Sequence, residues 1–506
     1  MATEPQLAHL GRGDRDASGR PKNQWKTLDK DLGRIGRLEE AAMFIARPLV
    51  APGLALAFVV LATVGALAVF GLDNSGWIVV AAAAVGAYMA LNIGANDVAN
   101  NMGPAVGAKA LTMGGALAIA AVAEVSGAFI AGGDVVGTIS GGIVAPDQVA
   151  EPHLFVRLMM SALIAAAVWI NLATALGAPV STTHSVVGGV VGAGVVAAGF
   201  DAVNWPMVGQ IAASWVISPV MGGVIAAAFL AFIKARISYA EDKLSAAKLW
   251  VPILVGIMAG AFGTYLITKG LKRLIHVSPA EALLAGAVIG LVAWAVARPA
   301  VARHARGAEN RKKSLKPMFA LPLVIAAALL SFAHGANDVA NAVGPLAAVV
   351  HTVAAGDVAT AVELPIWVMA IGALGISVGL VLFGPKLITM VGSEITKLNP
   401  MRAFCVALSA AITVIVASWL GLPVSSTHIA VGAIFGVGFY REWHAERRAR
   451  ALGLAKGKVL APEERARRKL VRRSHMTTIA AAWVVTVPFS ALLAAAIYWG
   501  LTLVAR

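Results

Sequence analysis

Hydrophobic residues in this chain gather into long unbroken runs instead of alternating with polar ones. Thirteen runs stand out, near residues 48–70, 77–93, 113–132, 154–177, 180–200, 207–233, 249–268, 280–298, 318–333, 361–384, 402–421, 424–440 and 477–503. Most approach or exceed the ~20 residues that carry a helix across ~30 Å of hydrocarbon. Ala, Gly and Leu dominate them, as expected where helices pack closely through small residues. The pattern predicts an all-α polytopic membrane protein with about 12–13 membrane segments.

One run ends in polar residues that do not belong in hydrocarbon. Gly94-Ala-Asn-Asp-Val-Ala-Asn-Asn-Met-Gly-Pro follows the apolar stretch 77–93. Asn96, Asp97, Asn100 and Asn101 each cost several kcal/mol there unless something satisfies them. Gly94, Gly103 and Pro104 are helix breakers, so the reading is a broken helix lining a cavity. The stretch recurs as His334-Gly-Ala-Asn-Asp-Val-Ala-Asn-Ala-Val-Gly-Pro, with Asp338 following Asp97 by 338 − 97 = 241 residues. A second motif is also duplicated: Gly177-Ala-Pro-Val-Ser-Thr-Thr-His matches Gly421-Leu-Pro-Val-Ser-Ser-Thr-His at 428 − 184 = 244. Gly127 and Gly132 align with Gly379 and Gly384 at 379 − 127 = 252. Each half then reads as a motif helix, two further helices, the Pro-Val-Ser segment and a closing helix holding Trp215 or Trp483.

Loop charges orient the halves. Gly71–Gly76 carries only Asp73, whereas Arg311, Lys312, Lys313 and Lys316 precede the second motif. The bias reverses after the motifs, with Lys109 against Asp357 and Glu363. It reverses again for Asp134, Asp147 and Glu151 against Lys386, Lys397 and Arg402. Asp201–Pro206 has no basic residue, while Arg441–Arg473 is the most basic stretch. The positive-inside rule then makes the halves cross in opposite directions, an inverted-topology repeat of the kind transporters use. Lys269, Lys272 and Arg273 disagree, lying where the outer face is required. The expected organisation is a polar cytoplasmic extension at 1–47, an extra transmembrane helix at 48–70 and a first repeat at 77–233. A linker at 234–317 with two transmembrane helices and basic loops follows, then a second repeat at 318–503 containing the basic cytoplasmic loop 441–476. Met1 is expected inside and Arg506 outside.

Composition confirms the class. Hydrophobic residues make up 59 % and charged ones 13 %, against about 25 % charged in soluble domains. The net charge of +15 would suit a nucleic-acid partner, but it is confined to loops, so the lipid bilayer is the partner and nucleic acid is not. The single Cys405 excludes an intramolecular disulfide and a cysteine metal cluster. Met1–Arg47 shows no signal-peptide pattern.

Two chemistries emerge. Helices beginning near Val180 and Val424 present free N–H groups beside Ser181, Thr182, Thr183 and Ser425, Ser426, Thr427, a ready anion site. The plainer reading makes these hydroxyls local caps; duplication in antiparallel units favours the anion. Asp97 and Asp338 suit a co-transported proton or sodium ion, which an anion moving against the membrane potential needs. Glu124 is a third intramembrane acid whose counterpart is Ile376, so coupling and local packing both stay open. A Ser181–His184–Asp97 hydrolase lacks a nucleophile-elbow sequence and has no use for two inverted copies, so no enzyme and no cofactor is expected.

The duplicated Gly-Ala-Asn-Asp-Val-Ala-Asn and Pro-Val-Ser-(Thr/Ser)-Thr-His motifs resemble those of the PiT family of inorganic phosphate transporters, over roughly Trp77–Ile233 and Met318–Thr502. That resemblance implies uptake of phosphate with H+ or Na+ across the cell inner (plasma) membrane, on an inverted-repeat fold. It implies phosphate contacts from Asn96, Asn100, Asn337, Asn341 and the Ser/Thr trios, and a cation at Asp97 and Asp338. It also admits phosphate carried as a neutral complex with a divalent metal, and a homodimer. A sulfate symporter on the same scaffold is the alternative.

Overall fold

The computed structural model describes residues 49–72, 75–145, 148–149, 151–175, 180–270, 277–359, 362, 364–394, 398–451 and 473–504. The extension 1–47, most of the basic loop 441–476, and Pro179, Lys272 and Arg273 lie outside the described residues. The chain divides into two units, Met1–Leu56 and Ala57–Arg506, and the second holds both repeats.

The helices are α1 (Leu49–Phe70), α2 (Gly76–Gly107), α3 (Met113–Ala131), α4 (Gly133–Gly137), α5 (Pro152–Ala175), α6 (Thr182–Ala198) and α7 (Trp205–Ile233). They continue with α8 (Lys243–Gly270), α9 (Pro279–Ala305), α10 (Ala320–Asp338), α11 (Ala340–Ala355), α12 (Ile366–Glu394), α13 (Pro400–Trp419), α14 (Ser426–Ala451) and α15 (Arg473–Val504). Each of the thirteen apolar runs finds a helix. Among the described residues, eleven spans are long and apolar enough to cross a membrane, with α10 and α11 counted as one; α6, with 17 residues, is shorter, and α14 is absent from the eleven because its second half is charged. A short helix α4 and a π-helical turn at Thr138–Gly142 follow α3, too brief and glycine-rich to show a hydrophobic period.

The interruption expected in both motif copies amounts to one residue in the second, and Val339 there keeps helical dihedrals, φ −56° and ψ −32°. α10 stops at Asp338, Val339 intervenes and α11 begins at Ala340. In the first copy α2 runs on through Gly94, Gly103 and Pro104. An internal proline removes one hydrogen bond and bends a helix, but neighbours packed on all sides can hold the turn together.

The two repeats interleave. A methyl group on Gly94 would collide with the Ile376 carbonyl, and one on Gly335 with the Glu124 carbonyl. The offsets 335 − 94 = 241 and 376 − 124 = 252 make these the same contact formed twice, α2 on α12 and α10 on α3. Likewise Gly188 of α6 lies against Val487 of α15, and Gly432 of α14 against Pro219 of α7, at 432 − 188 = 244 and 487 − 219 = 268. The second offset is also that of Trp483 and Trp215. Each motif helix therefore packs on a helix of the other half. Backbones this close need small residues, the device by which apolar helices associate where hydrocarbon offers no hydrophobic drive.

Candidate functional site

Four chain segments meet where the repeats interleave: the Asn-Asp stretch of α2, the α10–α11 junction, and the first turns of α6 and α14. Ser181 and Ser425 cap the last two, accepting the N–H of His184 and of His428 at 3.3 Å each. The helices thus begin at Thr182 and Ser426, two residues beyond the expected Val180 and Val424. Trp215 Nε1 donates to the Pro423 carbonyl at 2.9 Å, and its ring stacks on His184 at 3.7 Å. His184 lies 4.7 Å from the ring of His428, so the histidines pack the two helix starts together.

Threonine hydroxyls tie the starts to the acids. Thr182 Oγ1 lies 3.3 Å from Asp97 Oδ2 and 3.2 Å from Asp338 Oδ2, and its single proton serves one of them at a time. Thr427 donates to Asp97 Oδ1 at 3.0 Å, and Asn96 Nδ2 donates to the same oxygen at 3.1 Å. Asn100 Nδ2 donates to Thr427 at 2.8 Å; Asn341 Nδ2 donates to Thr183 at 3.2 Å and Thr182 at 3.4 Å. Because 341 − 100 = 241 and 427 − 183 = 244, the Asn100–Thr427 and Asn341–Thr183 bonds are one cross-repeat contact made twice.

The copies differ in burial: Asn341 and Thr183 are fully buried, whereas Asn96, Asn100 and Thr427 are half-buried. Asn337 spends its amide on irregular backbone, donating to Ser418 Oγ at 2.9 Å and the Leu422 carbonyl at 3.1 Å while accepting the Val424 N–H at 3.0 Å. Asn96 donates to the Val180 carbonyl at 3.4 Å.

The motif pattern alone assigns no role to His334, although that residue opens the second motif. Its Nε2 lies 3.4 Å from Asp338 Oδ2 and 3.7 Å from Asp97 Oδ2, and its Nδ1 lies 3.2 Å from Glu124 Oε1. Asn101 Nδ2 donates to the same Glu124 oxygen at 3.1 Å. Glu124 thus reaches the aspartates through His334. The signal was a double departure from symmetry: Ile93 stands where the second copy has His334, and Ile376 where the first has Glu124. Those two departures touch each other.

Donor atoms of Asp97, His334 and Asp338 lie within 4.8 Å of one another. Asp338 Oδ1 and Asn341 Oδ1 are buried oxygens with no hydrogen-bond partner, and Ser426 Oγ is a buried hydroxyl with none. Three acidic side chains gather around one imidazole, and their hard oxygen donors suit a proton or a sodium ion. The hydroxyls and helix starts on the other side suit an anion. A Ser181–His184–Asp97 triad does not form, since Ser181 serves as a cap and the polar contacts of Asp97 are to Thr182, Thr427, Asn96 and His334.

The sequence profile of the phosphate transporter family matches residues 93–494. A Helicobacter pylori protein described as "Putative phosphate permease" is 46 % identical, over 92 % of this chain and 98 % of its own length. A Thermococcus kodakarensis protein, likewise described as a phosphate permease, is 38 % identical, over 82 % of this chain and 95 % of its own. A solved structure, "The sodium-dependent phosphate transporter", superposes with a TM-score of 0.75 at 37 % identity, covering 84 % of this chain and 99 % of that one.

Proposed function

The chain belongs to the phosphate transporter family, and from that premise we propose that it takes up inorganic phosphate by cation-coupled symport across the plasma membrane. The observation that carries this reading is the shared use of Thr182 and Thr427, whose hydroxyls satisfy the buried acids Asp97 and Asp338. The same hydroxyls stand at the starts of α6 and α14, where an oxyanion would be held. When phosphate takes them, the carboxylates lose their donors in a low-dielectric interior. A buried carboxylate left without its partner is strongly disfavoured. A proton or sodium ion arriving at Asp97 and Asp338 offsets that loss and screens the acids from the incoming anion. Neither ligand is accommodated well without the other. Coupling then follows from one set of hydroxyls having two duties.

On this reading Ser426, Thr182, Thr183, Thr427, Asn100 and Asn341 face phosphate, and Ser181 and Ser425 shape the helix starts that present N–H groups to it. Asn96 and Asn337 hold the segments before those starts in place. Sodium is the first cation to test, because the superposed structure carries a sodium-dependent description and because Asp338 Oδ1 and Asn341 Oδ1 are unused oxygen ligands. Loop charges support a cytoplasmic side for Met1 and for the 441–476 loop.

Labelled phosphate uptake into proteoliposomes, with sodium or proton gradients imposed separately, tests the proposal. Accumulation is expected with the sodium gradient, and excess sulfate should compete poorly. Passive equilibration under every gradient would defeat the symport reading. Strong sulfate competition would move the substrate to sulfate.

A further inference from the structure

Away from this site, six cations from four separated stretches converge where α7 ends against the charged second half of α14. Lys234 Nζ sits 4.9 Å over the Tyr440 ring, and Arg441, Lys312 and Arg402 are all close enough to repel it. Lys312 at 3.9 Å and Arg448 at 4.4 Å both lie on the Tyr239 ring, which stacks on His444 at 5.4 Å. Arg447 lies 5.3 Å over Trp443. Ion pairs among the described residues use Lys269, Arg311 and Arg450 instead; Glu442 offsets Arg441 in part. Burial, and then the charges of Lys234, Arg448, Lys312 and Arg447, hold His444 below its ordinary range, as a cationic field requires.

Cations at helix ends commonly complement the negative C-terminal dipole, and that accounts for Lys234 and Arg448. It does not account for Arg402. That residue lies in the first turn of α13, whose Asn399 cap accepts both its N–H and its Nε at 3.0 Å. A cation at the positive end of a helix, half-buried beside Lys234 and Arg441, is unfavourable unless an anion joins them.

We propose that Lys234, Arg402 and Arg441, rimmed by Lys312 and Arg448, hold the phosphodiester headgroup of an anionic phospholipid. A lipid fits better than a free ion because apolar side chains lead to the cluster. Val216, Val220 and Val224 stand exposed along α7 toward Lys234. Trp443, 53 % exposed, and Trp250, which receives Arg236 at 6.0 Å, are the amphipathic rings found at headgroup depth. Basic pockets between membrane helices are established headgroup sites in other proteins.

The test is native mass spectrometry of the full chain, delipidated in detergent and titrated with phosphatidylglycerol or phosphatidylcholine. Retention of phosphatidylglycerol about tenfold tighter than phosphatidylcholine is expected. The combined change Lys234→Gln, Arg402→Gln, Arg441→Gln should erase that preference. Lys312→Gln with Arg448→Gln, both at exposed positions that leave helix packing alone, should weaken it several-fold. Equal retention of the two lipids by the unaltered chain overturns the proposal, as does an unchanged preference in both variants. Displacement of bound lipid by millimolar inorganic phosphate in Asp97→Asn protein, whose transport site is disabled, would assign the cluster to free phosphate and also overturn it.

Discussion

At the scale of single residues, the hydroxyls of the two Ser/Thr trios divide between support and recognition. Ser181 accepts a backbone N–H as a helix cap, so Ser181→Ala should lower unfolding stability by about 1 kcal/mol. Ser426 Oγ has no protein partner, and Ser426→Ala should leave the melting temperature in place. Its effect belongs on phosphate: affinity should weaken by about 1–3 kcal/mol, because a donor that only the anion uses has been removed. Isothermal binding and thermal unfolding of the two variants separate the roles; loss of stability without loss of affinity at Ser426 would reverse the assignment. Asp97→Asn and Asp338→Asn keep the shape and one acceptor oxygen but remove the charge. Each should cut gradient-driven accumulation at least about tenfold while the protein still reaches the membrane. Normal concentrative uptake with an unchanged sodium dependence in either variant would falsify the cation role of that acid.

At the scale of elements, the site depends on backbones in van der Waals contact. Gly335 lets α10 approach the Glu124 carbonyl of α3, and it sits one residue from His334. Gly335→Ala must therefore push α10 and α3 apart and carry His334 away from Glu124, costing about 1–3 kcal/mol as overpacking does. Gly65→Ala on α1 meets nothing within 4 Å and should be neutral or slightly stabilising through helix propensity. Chemical unfolding in detergent measures both; equal behaviour would mean the α10–α3 contact is looser than the Gly335 approach requires. The same contact is formed twice, but the Glu124–His334 pair occupies one half only. At the equivalent place, where α2 meets α12, the buried residues Ile93 and Ile376 stand where the second half has His334 and the first has Glu124.

At the scale of the molecule, the pseudo-symmetry is unequal in a way that suits alternating access. Asn100–Thr427 is half-buried and Asn341–Thr183 is fully buried, though the two bonds are equivalent. Exchange of the two arrangements would open the opposite face. Thr427→Cys is therefore expected to react with a membrane-impermeant thiol reagent much faster than Thr183→Cys, and phosphate with sodium should change the ratio. The native Cys405 is fully buried and should contribute little background. A Thr183→Cys that reacts as fast as Thr427→Cys would count against the sealed face. Topology has its own check: α7 starts beside Asp201 and ends beside Tyr440, and its 29 residues span about 43 Å at 1.5 Å each. Asp201→Cys and Trp443→Cys should label from opposite sides. The discordant Lys269 pairs with Asp134 of the first repeat, so these two residues lie on the same side of the membrane.

Membrane class and repeat were legible in the chain because they rest on local regularities. A run of apolar residues must be helical in hydrocarbon, and a polar cluster inside it must be satisfied, whatever surrounds it. Duplication at nearly constant offsets told which residues are equivalent, and loop charge told that the copies are antiparallel. What the sequence could not state is which equivalent residues touch. That Asn100 bonds Thr427 of the other half, that Asn337 is consumed by backbone and that His334 joins Glu124 to both aspartates depend on segments far apart in the chain, separated by 85 residues for Asn337 and Leu422 and by 327 for Asn100 and Thr427. The continuity of both motif helices is likewise decided by packing, since Gly94, Gly103 and Pro104 and their counterparts Gly335, Gly344 and Pro345 all lie within helix. Local sequence sets the period and the polarity of an element. Contact between elements is a sum over many neighbours, and only the assembled fold performs it.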